Sequence, residues 1–199
     1  MLIAGAVCPH PPLLIPAALG AAGSDPPGEL RKVAAAAGRA VAGLAAARAE
    51  LLVVVGGGAA EREYGADAAG GLHAFGVEVT VGAGEPVLPL SLTVGRWLLE
   101  HGGILEHTGT RAQESPGAPD AVAQDYDDEV AEALAAADAR WLARLDPALD
   151  DELVVAGRAA WQVLAGAAGG HRMDGRLLCM SAPYGVTYLV ASWEESRTD

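Results

Sequence analysis

The run Leu51-Leu52-Val53-Val54-Val55, closed by Gly56-Gly57-Gly58, constrains the fold more than any other stretch of the chain. Five apolar residues in a row, three of them β-branched, are too few for a helix and leave no polar face for water. Such a run belongs in a strand covered on both faces, and that cover requires helices on either side of a sheet. Residues 2–8 read as a second buried strand, and "GVEVTVG" (76–82) alternates like a third. At the far end "RLLCMS" (176–181) and "VTYLVASW" (186–193) read as two strands joined by the turn "APYG". Pro183 and Gly185 within so short a connection predict an antiparallel hairpin.

Helix-length segments separate these strands. Pro26 and Pro27 mark the start of an alanine-rich helix from about Glu29 to Arg48. "SLTVGRWLLEHGG" carries Leu92, Trp97, Leu98 and Leu99 on a helical stripe and stops at Gly102-Gly103. "TGTRAQESPGAPD" (108–120) is polar and turn-rich and reads as a loop, with Asp120 placed to cap the helix that follows. In that helix Val122, Tyr126, Val130 and Leu134 share one face, and "DPALDDELVV" and "GRAAWQVLAGAAGG" read as two more. No repeat or composition break divides the chain, so residues 1–199 are expected to form one domain. The expected fold class is α/β, a three-layer α/β/α sandwich with a mixed sheet.

A formal net charge of −13 disfavours nucleic acid or an anionic membrane as partner, because both require a basic patch. No apolar run reaches the length of a membrane span, and "MLIAGAV" is too short for a signal segment. Cys8 and Cys179 form neither a disulfide framework nor a zinc motif, which suits a cytoplasmic location. The acidic group Asp125, Asp127, Asp128, Glu129 and Glu132 lies opposite the Tyr126–Val130 face and reads as solvated.

Chemistry concentrates after strands. His10, in "VCPHPP", sits on a proline-stiffened loop just past the first strand, where open α/β sheets bind ligands. Gly56-Gly57-Gly58 matches no phosphate-loop spacing and reads as a tight turn. His73, His101, His107 and His171 show no HxxxH spacing, and neither Ser115 nor Ser181 lies in a GxSxG elbow.

Several segments, taken in order, resemble the class III extradiol ring-cleavage dioxygenases, the family of the protocatechuate 4,5-dioxygenase catalytic (B) subunit, to which the mediator-of-cell-motility proteins are related. They are "AVCPHPPLLIP", "LLVVVGGG", "SPGAPDAVAQDYDDEVAEALAAADARWLARLDP", "AGRAAWQVLAGAAGG" and "MSAPYGVTYLVASW". The resemblance covers most of the chain and is most specific in its last part. It implies a non-haem Fe(II) oxidoreductase that cleaves catecholic aromatics, its metal held by two histidines and a carboxylate, with a further histidine as acid and base.

His10 falls on the first ligand position. Gly57 and Gly58 stand where the family has Pro-His, Gln113 stands near the catalytic histidine, and Ser181 falls on the carboxylate position. A further Asp-His segment of the family is missing around residues 82–88. The resemblance therefore implies a cleft lined by His10, Gly57, Gly58, Gln113, Ser181, Tyr184 and Tyr188. Fe(II) is absent or weakly bound unless His107, Glu61 or Glu63 substitutes as ligand, and activity is weak or nil. The alternative is a non-catalytic domain that keeps the cleft and binds a small aromatic molecule or a protein, a second copy of the chain included.

Overall fold

The computed structural model describes residues 1–102, 109–116, 124–147 and 156–196. Helices and strands are interspersed along the chain, as an α/β fold requires. One sheet has the order β1 (Ala4–Val7), β8 (Tyr188–Glu195), β7 (Met173–Ser181), with both outer strands antiparallel to β8. Strand β1 is only four residues long because Pro9, Pro11 and Pro12 follow it, and proline has no N–H to offer a ladder. The expected hairpin is present: β7 and β8 pair from Ser181–Tyr188 back to Met173–Glu195, through a single 3₁₀ turn at Pro183–Gly185.

The alternation of β8 feeds two separate cores. Tyr188 and Val190 pack into a cluster with Leu30, Val33, Ala37 and Val41 of α1 (Gly28–Ala47). Leu189, Ala191 and Trp193 pack with Val130 and Leu134 of α3 (Gln124–Ala135), Leu142 of α4 (Ala139–Leu142) and Ala165 of α5 (Arg158–Ala168). Both faces of this sheet are thus buried. The period-2 pattern of a strand and the 3.6 pattern of each helix face agree about which side chains lie inside. The buried faces expected from sequence are observed, including Tyr126, Val130 and Leu134 on α3 and Leu92, Leu98 and Leu99 on α2 (Leu90–His101). Asp128, Glu129 and Glu132 are exposed on α3, as a solvated face requires.

A second sheet has the order β2 (Leu51–Gly58), β6 (Gly109–Pro116), β3 (Arg62–Tyr64), with β2 and β6 parallel and β3 antiparallel to β6. Four sequence expectations are corrected here. Strand β2 is not covered on both faces, since Leu51 and Val53 are 51% and 49% exposed. Residues 109–116, read as loop, are a strand between two partners; backbone pairing on both edges does not depend on apolar side chains, so composition understated it. The glycines 56–58 are part of β2 and not a tight turn. A Cβ at Gly56 would lie 2.6 Å from Ser91 Oγ and 3.0 Å from Leu92 Cδ2, so the residue is glycine where α2 presses on the strand. Finally, 76–82 is not one strand: a 3₁₀ turn at His73–Phe75 precedes it, and only Thr80–Val81 (β5) pairs, with Gly70–Gly71 (β4).

Arg96 fastens this excursion to α2. Its Nε donates to Glu100 Oε1 at 2.8 Å, and one terminal nitrogen donates to the Ala66 carbonyl. The same carboxylate oxygen accepts the Gly82 N–H at 2.9 Å. The expected helix at 146–155 and the residues Asp120, Val122 and His107 lie at least partly outside the described residues.

Candidate functional site

The β1–β8 and β7–β8 registers determine what meets at one end of the first sheet. Strands β1 and β7 run parallel to each other on either side of β8, so both of their carboxyl ends lie at the start of β8. Ser181 is the direct partner of Tyr188. On the other side the β1–β8 pairs run Ala4–Glu194 to Val7–Ala191, and His10 follows three residues beyond the last pair, in the segment that leaves this end of β1. His10, Ser181 and Tyr188 therefore share one end of the sheet, and Tyr184 sits in the loop that closes it. A histidine on the opposite end would have removed the basis for a site here.

The chemistry of this end is that of neutral groups. His10 is half-buried, and burial lowers its pKa below the usual 6.5, so the imidazole is uncharged at neutral pH. Tyr188 is half-buried, and its pKa is raised by burial and by the nearby Tyr184 phenol. Cys8, two residues before His10, has its thiol pushed up to about 12 by burial, which makes it inert as a nucleophile. Tyr184 is 65% exposed and holds φ at +67°, a left-handed conformation that is unusual for a bulky residue. It stands at the rim and does not wall the site by being buried.

The remaining positions expected in the cleft belong to the second sheet. Gly57 pairs with Ser115 and Gly58 with Pro116, while Gln113 lies between Val55 and Glu63. No ladder joins β2 to β1, β7 or β8 among the described residues, so Gly57, Gly58 and Gln113 are not brought to His10 by strand pairing. The Gly57 carbonyl is occupied, accepting a hydrogen bond from Ser91 Oγ at 2.5 Å. Glu61 follows β2 and Glu63 lies within β3, both exposed.

A donor set for Fe(II) requires two imidazoles and a carboxylate converging on one face. Among the described residues no three His, Cys, Asp or Glu side chains form a group able to hold a metal ion. Glycines at 57 and 58 offer no side-chain donor, and the Ser181 hydroxyl is a poor substitute for a carboxylate. The described residues do not fit the metal. No family model matches the chain, and no curated protein matches it. No helix of the described residues is long and apolar enough to cross a membrane.

The buried neutral imidazole has a measurable consequence. Because folding lowers the His10 pKa, the unfolded chain binds its proton more readily than the native one. The stability that this provides is complete above the unfolded value and is lost as pH falls through it towards the folded value. Urea midpoints are expected to drop on acidification below about pH 6.5, with a slope of at most about 1.4 kcal/mol per pH unit for one proton. His10→Gln should lack that component below about pH 6.5; an unchanged slope would assign the proton to another group.

Proposed function

We propose that this chain is a class III extradiol dioxygenase-like domain that has kept a binding cleft and lost the means to hold iron, and that it binds a small phenolic molecule without turning it over. The reading is carried by the shared sheet end of His10, Ser181 and Tyr188, which supplies an uncharged imidazole, a hydroxyl and a phenol. Such a set can donate to and accept from the hydroxyl groups of a ligand, since neutral histidine, serine and tyrosine each carry one donor and one acceptor function. The packing of β8 into two cores supports the finer architecture that goes with it, a three-layer α/β/α sandwich around a mixed sheet. Two free cysteines suit a reducing cytoplasm as its location.

Catechol is the probe. Titrated into protein kept in EDTA and followed by ligand-observed NMR, it should bind saturably, and His10→Ala should weaken binding about tenfold, the worth of one good buried hydrogen bond. Binding that appears only after Fe(II) is added would overturn the metal-free reading.

A further inference from the structure

We propose that a second binding site lies in the groove beside the C-terminal end of α2 and that it takes a small, flat organic cation of the amidinium or guanidinium class. The groove encloses about 490 Å³ between the end of α2, residues 78–81 and the Ile15–Ala17 segment, a size suited to a small molecule. None of His10, Ser181, Tyr184 or Tyr188 lines it.

Its floor is apolar, with Ile15 and Val81 buried beneath. Its wall is aromatic. Trp97 and His101, one helical turn apart, stack with ring centroids 4.1 Å apart and planes 23° from parallel. His101 Nδ1 lies 2.9 Å from the Trp97 carbonyl oxygen. A carbonyl can only accept, so Nδ1 carries a proton in this contact.

The rim is acidic. Glu78 is exposed, with His73 Nδ1 3.7 Å from its carboxylate. Glu100 uses Oε1 for Arg96 and for the Gly82 N–H, which holds the carboxylate in place beside the groove. Among the described residues no lysine or arginine lines the groove. The site therefore presents acceptors, a flat π-surface and the exposed Glu78 carboxylate. A planar cation satisfies all three, through stacking, cation–π attraction and N–H donation in one plane. An anion would meet Glu78 and the net charge of −13.

Benzamidine tests this, with neutral benzamide and anionic benzoate as matched shapes. Calorimetric or NMR titration should show saturable benzamidine binding and none by the other two over the same concentration range. Glu78→Gln changes an exposed side chain and should fold normally by circular dichroism. It should weaken benzamidine about fivefold, the upper range for one exposed charge pair. His101→Ala, which removes half of the stacked wall, should weaken it as well. The site is overturned if benzamidine fails to saturate, if benzamide binds as tightly, or if Glu78→Gln binds benzamidine undiminished.

Discussion

Loaded anaerobically with Fe(II) and then given catechol or protocatechuate in air, the protein is expected to leave the ring intact. Extradiol cleavage depends on a metal that gathers substrate and dioxygen in one place, and bringing reactants together is worth on the order of 10⁵-fold or more in rate. Of the positions that the resemblance assigns to the metal, only His10 bears an imidazole or carboxylate; Gly57, Gly58 and Ser181 occupy the others. Ligand losses of this kind do not add, because without a held metal the remaining groups have nothing to act on. The assay is the appearance of yellow ring-opened product, with His10→Ala as control. Turnover that requires both iron and His10 would reverse the proposal and direct attention to His107, Glu61 and Glu63 as replacement ligands.

The largest effect on stability is expected at Trp193. Its side chain is 1% exposed, and its indole N–H donates to the Leu134 carbonyl at 2.8 Å, joining β8 to the C-terminal end of α3. Trp193→Ala should cost about 3–5 kcal/mol in urea or thermal unfolding, because it opens a large cavity between sheet and helix. Trp193→Phe keeps most of the apolar volume and removes only the donor. It should cost about 0.5–1.5 kcal/mol, the worth of one hydrogen bond, because the Leu134 carbonyl still accepts from the Ala137 N–H at 3.4 Å. An alanine variant within about 1 kcal/mol of wild type would mean that the α3 side of the sheet contributes little to the core.

The same residue illustrates what was legible in advance. Trp193 ends a stretch that could be read as a strand from its residue types, whereas its division between two cores, with Leu189 and Ala191 beside Trp193 and Val190 opposite, came from the fold. The turn at 182–185 was equally legible, because proline and glycine between two apolar runs leave the backbone few other courses. At the site, His10 was recognisable from its position after β1. Its uncharged state was not, since that depends on the burial that folding imposes on the imidazole. The groove beside α2 was missed. The one available signal was the i, i+4 spacing of Trp97 and His101, which is equally compatible with simple core packing.

The sequence by itself determined the helices at 28–47, 90–101 and 124–135, the buried faces of the last two, the closing hairpin, and the end of β1 at its prolines. These follow from side-chain period and backbone chemistry, which act over a few residues. Tertiary structure alone decided that polar residues 109–116 form a strand between β2 and β3. It also decided that Gly56 serves close helix packing, and that β2 lies outside the β1–β8–β7 ladder. Strand partners are chosen by hydrogen bonds between residues distant in sequence, and those bonds are made by a backbone that is nearly the same at every position.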